Sequence, residues 1–239
     1  MIPPNVPILL VRHGQSEWNA ARRWQGLADS PLTELGRGQA ATCAEVLRSL
    51  DHRWSAVRSS PLRRAASTGE IIAARLGLAP IEVDERLREA DAGEWQGMTP
   101  DEIEQAYPGF LADHRRPPTF ETFDSVVHRV VAALGDIASA ADPADGALIV
   151  TTHSGVIRSI VRRLGVHDER VPNLGGVWIR VAGRSVIDAS PGTGLGIDLG
   201  IDLGDRFDPA GVVRTGVDAP GEDPGDEADQ PDAHCGSER

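Results

Sequence analysis

Apolar positions along the chain follow two alternating rhythms. Ile8-Leu9-Leu10-Val11 and Ala147-Leu148-Ile149-Val150 are unbroken apolar runs, the pattern of strands buried on both faces. These predict strands over PILLVR and ALIVTTH, with a shorter one at AVRSS (56–60) and a short edge strand at PIEVDERL (80–87). Between them the apolar spacing turns helical. Leu32 to Leu50 predicts an amphipathic helix with Thr33 as its N-cap, and Arg63 to Leu76 one closed by Gly77. Asp101 to Tyr107, Phe123 to Ala141 and Val156 to Leu164 follow. In the second of these, Val126, Val127, Val130, Val131, Leu134 and Ile137 form a core face. GVWIRVAGRSVIDAS ends the pattern as a hairpin turning at Ala182-Gly183-Arg184. Such alternation predicts an α/β fold of three layers, α/β/α, around a mostly parallel central sheet. Open sheets of this kind bind ligands beyond the carboxyl ends of their strands, where Arg12-His13 and His153 stand.

The rhythm stops near Pro191. A small duplication, GIDLGIDLGD, opens a stretch rich in Gly, Pro, Asp and Glu. Its Gly-x-Gly pieces lack the strand–turn–helix context of a nucleotide loop. The expected organisation is one domain over 1–189 and an acidic tail over 190–239, too poor in apolar surface to order itself. Charge divides along the same line. Of the formal net charge of −12, the tail carries −9 and the body only −3. The body therefore offers no basic face for nucleic acid. No stretch approaches the roughly 18 apolar residues of a membrane span, and the N-terminus lacks the pattern of a signal peptide. Cys43 and Cys235 make no disulfide framework, so a cytoplasmic setting is expected. All 24 basic residues are arginine, as a GC-rich coding bias would give. Nothing in the chain fixes an oligomeric state.

Four separated pieces carry the chemistry: Arg12-His13-Gly14, Ser60-Pro61-Leu62-Arg63-Arg64-Ala65, Leu87-Arg88-Glu89 and Thr152-His153-Ser154-Gly155. In a parallel sheet these strand ends can converge on one cleft. Two histidines, at least two arginines and a carboxyl group together suit a phosphate ester. Arginine forks match phosphate oxygens. A neutral imidazole attacks phosphorus, and a carboxyl group can protonate the departing oxygen. No His, Cys or Asp spacing reads as a metal site.

These pieces resemble the histidine phosphatase superfamily, also called phosphoglycerate mutase-like, and its phosphatase branch in particular. LVRHGQSEWN is similar to its signature segment, with WQG (24–26) and LTELGRGQA (32–40) continuing it. SSPLRRA, RLREADAGEWQGMT and VTTHSGVIR follow in the family's order. The resemblance implies the phosphoglycerate mutase-like fold and makes His13 the nucleophile that becomes phosphohistidine. Arg12, Arg64 and His153 would hold the phosphoryl oxygens, Arg64 rather than Arg63 because the family's arginine directly precedes the alanine. Glu89 would protonate the leaving group and then help activate water. Asn19, Gln25 and Gly26 would line the phosphate and substrate side. His13 must then be neutral, which nearby arginines favour by lowering its pKa, and Glu89 must hold a proton. No cofactor or metal is implied, and the partner would be a small phosphorylated metabolite.

Departures from the family pattern refine this. Only 63 residues separate Glu89 from His153, short beside the cofactor-dependent mutases, so the phosphoenzyme would meet water and hydrolyse. Thr119-Phe120-Glu121-Thr122 stands where many members have Gly-Gly-Glu-Ser; Phe120 would narrow or cap the pocket. Arg115-Arg116 could grip a second anionic group or be a solvated pair, and Trp18, Trp24 and Trp95 could wall a pocket or simply pack. His52, His114, His128, His167 and His234 read as solvated or satisfied histidines. The leading expectation is a metal-independent phosphomonoesterase, a histidine-type hydrolase. A cofactor-dependent phosphoglycerate mutase and a phospholigand-binding regulatory module are the alternatives, and a pure binder has no need of Glu89.

Overall fold

The computed structural model describes residues 5–165, 171–182 and 185–186. Strand β1 (Asn5–Arg12) runs through the middle of a six-stranded sheet with β2 (Trp54–Ser59), β3 (Glu82–Val83), β4 (Ala147–Thr152), β5 (Gly176–Ala182) and β6 (Ser185–Val186). The order is β3-β2-β4-β1-β5-β6. β1, β2, β3 and β4 are parallel, and β5 pairs antiparallel with both β1 and β6.

The unbroken apolar run of β1 is explained by its two neighbours in depth. Ile8 and Leu10 face α5 (Phe123–Ala140) and α6 (Ser154–Arg163), in a core shared with Leu134, Val150 and Ile157. Leu9 and Val11 face α2 (Glu34–Ser49) and α3 (Arg63–Leu76), packing with Leu47, Val57, Ile72 and Ile149. Side chains alternate across a strand, so one continuous apolar stretch fills two cores. The expected three-layer α/β/α fold is what forms. Cys43 lies in the second core, where burial pushes its thiol up to about 12 and leaves it inert.

Local signals placed most element ends. Thr33 caps α2 by accepting the Gly36 N–H at 3.0 Å, and Gly77 closes α3 in the left-handed region at φ 70°. Val126, Val127, Val130, Leu134 and Ile137 are buried on α5, while Val131 packs at the edge of the core. The edge strand expected over 80–87 is corrected to the pair Glu82–Val83. There Asp84 accepts the Arg86 N–H at 2.9 Å and turns the chain into a 3-10 turn over Glu85–Leu87. Two short helices complete the domain: α1 (Glu17–Ala20), begun by a Ser16–Asn19 capping box, and α4 (Pro100–Ala106), begun by one of Thr99 and Glu102. Gly183 and Arg184 of the hairpin, and the tail over 190–239 with Cys235 and His234, lie outside the described residues, as does His167. No helix of the described residues is long and apolar enough to cross a membrane.

Candidate active site

Three parallel strand ends are zipped into one platform. The His13 N–H donates to the Thr152 carbonyl at 3.0 Å, and the Ser60 N–H to the Thr151 carbonyl at 3.0 Å. This brings Arg12 and His13, the start of α3 with Arg64, and His153 to one place. Above the platform opens a cavity of about 610 Å³ lined by Arg12, His13, Arg64 and Glu89, together with Gln25 and Gly26. His153 completes the constellation from just below. It is fully buried, its ring 5.2 Å from that of His13, with Nε2 2.8 Å from the Ser60 hydroxyl. Its Nδ1 has no hydrogen-bond partner among the described residues.

The state of His13 follows from its contacts. Nδ1 lies 2.7 Å from the Gly14 carbonyl, which can only accept, so Nδ1 carries the proton. Burial, with Arg64 and Arg12 beside it, holds the imidazole pKa well below its ordinary value, against the smaller opposite pull of the Gly14 bond. The ring is therefore neutral, and Nε2 keeps its lone pair. Burial, Arg64 and His13 lower His153 in the same way.

Each arginine is aimed by backbone carbonyls. Arg12 donates through Nη1 to Val171 at 2.6 Å. Arg64 donates to Ala28 at 2.6 Å and Gly26 at 2.9 Å. Burial pushes Arg64 down to about 10, with Glu89 and Asp29 pulling the other way, so it stays cationic at neutral pH. Gly26 sits at φ 50°, and a side chain there would press on Ala92 at 2.7 Å. A Cβ on Gly14 would meet the Gly36 carbonyl, so its bareness lets α2 dock. A loop that sequence reasoning missed clasps the end of β1. The Asn173 amide donates to the His13 carbonyl at 2.9 Å, and the Arg12 N–H to Gly175 at 2.9 Å.

Glu89 is placed by a second missed residue. Arg129 on α5 donates to the carbonyls of Arg86 (2.8 Å), Arg88 (2.6 Å) and Glu89 (3.0 Å), and forks onto both oxygens of Glu121 at 2.8 and 2.9 Å. Burial pushes Glu121 up, but the bonds from Arg129 and Ser125 outweigh it and hold the carboxylate low. The Glu89 carboxyl accepts the Ala90 N–H at 2.8 Å and the Gly155 N–H at 3.2 Å. A Cβ on Gly155 would stand 2.6 Å from Glu89 Oε1, so this glycine keeps the space the acid needs.

The remaining expected residues divide. Gln25 lines the cavity, its Oε1 accepting from the Ser16 hydroxyl at 2.8 Å. Asn19 stands behind: it does not line the cavity, its Oδ1 accepts from the Ser16 N–H at 3.1 Å and its own N–H donates to the Ser16 hydroxyl at 3.2 Å. Arg115 pairs with Asp113 at 2.8 Å and lies over Phe110, whereas Arg116 turns to the cavity, 5.1 Å over both Trp24 and Trp95. Phe120 packs edge-on against Trp24 and Trp95 and forms part of the wall. Trp24 thus walls the cavity, and the fully buried Trp95 backs it. His52 stacks near Trp54 and Trp178, while His114, expected among the solvated or satisfied histidines, lines the cavity with Arg23, Arg158 and Arg162. The only sequence signal for the last two is their four-residue spacing after Ser154. Among the described residues no group of three or more His, Cys, Asp or Glu side chains is placed to hold a metal ion.

Comparison with known proteins identifies the family. Residues 8–193 match the model of the histidine phosphatase superfamily, branch 1. A glucosyl-3-phosphoglycerate phosphatase of Mycolicibacterium vanbaalenii is 34% identical over 213 residues, covering 82% of this chain and 92% of that protein. A metal-independent phosphoserine phosphatase of Arabidopsis thaliana is 39% identical over 166 residues, 66% of this chain and 68% of its own. The solved structure of a mycobacterial glucosyl-3-phosphoglycerate phosphatase with VO3 matches with a TM-score of 0.65 at 29% identity, covering 77% of this chain and all of that one. The chain belongs to the histidine phosphatase superfamily. It is an enzyme of the histidine phosphatase type.

Two expectations follow. Gly155→Ala should displace the Glu89 carboxyl and lower kcat on a phosphomonoester at least tenfold while phosphate affinity changes little; full activity would show that the acid's position is unimportant. The second concerns pH. His13 and His153 have folded pKa values below 6.5, so below that pH the unfolded chain binds more protons than the fold. The stability of the unliganded protein should be full above pH about 6.5 and fall as the pH drops, by up to about 1.4 kcal/mol per unit for each histidine. Urea unfolding between pH 7 and 5 in phosphate-free buffer measures this, and a flat profile would contradict it.

Proposed function

We propose that the chain is a metal-independent phosphomonoesterase that hydrolyses a small phosphorylated metabolite through a phosphohistidine on His13. The observation that carries this reading is the neutral His13, its proton fixed on Nδ1 and its Nε2 lone pair beside two buried guanidinium groups. A phosphoryl group bound between Arg12 and Arg64 would face Nε2, and the arginines would stabilise charge on its equatorial oxygens. His153, neutral and with no Nδ1 partner among the described residues, would turn toward a phosphoryl oxygen. Nε2 attacks phosphorus as the P–O bond to the leaving group breaks, and Glu89 gives its proton to the departing alkoxide. Glu89 then accepts a proton from the water that attacks the phosphohistidine, which frees His13 and inorganic phosphate.

Relatives named as acting on glucosyl-3-phosphoglycerate and phosphoserine support a small phosphorylated substrate. Hydrolysis rather than phosphoryl return is favoured because the cavity runs out to the exposed Phe123 and Arg162, leaving a path for water. The test is phosphate release across a panel of phosphorylated metabolites in EDTA, with His13→Ala as the blank. The expected outcome is release by the native chain, unaffected by EDTA, and at least a thousandfold loss in His13→Ala. Isomerisation of 3-phosphoglycerate without phosphate release would make the chain a mutase, and binding without turnover a phospholigand-binding module.

A further inference from the structure

No residue of the LTELGRGQA segment (32–40) lines the cavity. Three of them nevertheless hold the chain directly after His13. β1 ends at Arg12, so the peptide units beyond it have no strand ladder to fix them. Each is fixed in another way. In the unit joining Arg12 to His13, the carbonyl accepts the Leu174 N–H at 3.2 Å and the N–H donates to Thr152 at 3.0 Å. In the unit joining His13 to Gly14, the carbonyl accepts from Asn173 at 2.9 Å and the N–H donates to the Thr68 hydroxyl at 3.1 Å. Thr68 donates in turn to the Arg64 carbonyl at 2.7 Å, which ties this unit to the first turn of α3.

The next unit, joining Gly14 to Gln15, bears on the state of the imidazole. Its carbonyl is the Gly14 oxygen that takes the Nδ1 proton of His13 at 2.7 Å. Its N–H donates to Gln39 Oε1 at 2.9 Å. An N–H can only donate, so the oxygen of Gln39 and not its amide nitrogen faces Gln15. One rigid plane is thus held by the ring of His13 at one end and by Gln39 at the other. Gly14 carries no side chain to resist rotation of that plane. Gln39 is 3% exposed on α2, whose later turns sink Cys43 and Leu47 into the core. From the start of the same helix, the Thr33 N–H and hydroxyl donate to the Gln15 carbonyl at 3.0 and 3.2 Å. Gly36 stands between them in sequence, and a Cβ on it would collide with that carbonyl. Residues 33, 36 and 39 therefore act together, at the three-residue interval that shares a helix face.

Resting on the phosphatase reading above, we propose that Gln39 is a positioning residue for the nucleophile. By holding the Gln15 N–H it aims the Gly14 carbonyl at Nδ1 of His13, and so keeps the proton off Nε2, the nitrogen that attacks. The tautomer of a neutral imidazole is set by the hydrogen bonds its two nitrogens make. If the Gly14–Gln15 plane turned, Nδ1 would lose its acceptor and the proton could sit on Nε2. That nitrogen would then have no lone pair to offer phosphorus. Gln39 does not line the cavity, and its effect passes through the backbone alone.

The experiment reads the tautomer directly, by nitrogen NMR of the unliganded full chain carrying labelled histidine. The His13 signals are identified by their loss in His13→Ala. The native chain should show a protonated Nδ1 and a bare Nε2. Gln39→Met keeps the length of the side chain and loses the acceptor. It should spread the proton over both nitrogens and lower kcat on p-nitrophenyl phosphate about tenfold or more. Gln39→Glu keeps an oxygen at the same reach and should restore the native tautomer and most of kcat. Should Gln39→Met not fold, Gln39→Asn, which withdraws the amide by one methylene, takes its place under the same criteria. A native chain protonated on Nε2, or a native tautomer in folded Gln39→Met whatever its activity, overturns the proposal. So does a displaced proton with no loss of kcat, or a Gln39→Glu protein that behaves like Gln39→Met. A proton that moves in Gln39→Met while the native chain hydrolyses no phosphomonoester would keep the link from Gln39 to the tautomer and overturn the phosphatase reading instead.

Discussion

Two guanidinium groups buried side by side with two imidazoles are the constraint on which the rest of the molecule depends. Arg12 and Arg64 are 2% and 1% exposed, so neither is solvated, and each like charge raises the electrostatic cost of the other. The fold meets that cost by aiming carbonyls at them, from Val171 on one side and from Gly26 and Ala28 on the other. The same field, added to burial, forces His13 and His153 to stay neutral. A site assembled this way favours a dianion before one arrives. The neutral state of His13 comes from the same arrangement, so in the proposed mechanism binding and reactivity share one electrostatic cause.

Around that socket the chain divides its labour by element. The parallel strands fix the socket through bonds between their ends, and α3 presents Arg64 rigidly from its first turn. The acid belongs to an irregular segment between β3 and α4, which has no ladder to hold it. Arg129 supplies the missing rigidity by gathering three carbonyls of that segment and locking to Glu121. Both oxygens of Glu121 are thereby held by Arg129, while the ring of the neighbouring Phe120 joins the cavity wall. Gly155 then leaves room for Glu89 against α6.

What the sequence made legible follows from the range of each signal. Apolar runs and caps are local, so β1, β4 and the major helices could be placed, and β1's two-faced burial could be read from Ile8 to Val11. The Arg12, His13, Arg64, Glu89 and His153 set was legible because each member lies in a short segment with family likeness. Long-range partners were not. Arg129 is an ordinary arginine on an amphipathic helix until its bonds to residues 40 or more positions away are seen. The Arg115 and Arg116 pair could be divided only by the fold, which spends one on Asp113 and turns the other to the cavity. Asn19, expected beside the phosphate, is not among the residues lining the cavity, and its Oδ1 is engaged by the Ser16 N–H at 3.1 Å. The edge strand over 80–87 failed for a local reason, the turn that Asp84 makes with Arg86.

The central claim is that His13 attacks through Nε2 because Nδ1 is fixed as a donor to Gly14. Nitrogen NMR of protein carrying labelled histidine, quenched in base during turnover of a phosphomonoester, tests it directly. The account predicts one phosphoramidate signal, on Nε2 of His13, absent from His13→Ala. Phosphorus on Nδ1, on His153, or on no histidine while phosphate is still being released would contradict it.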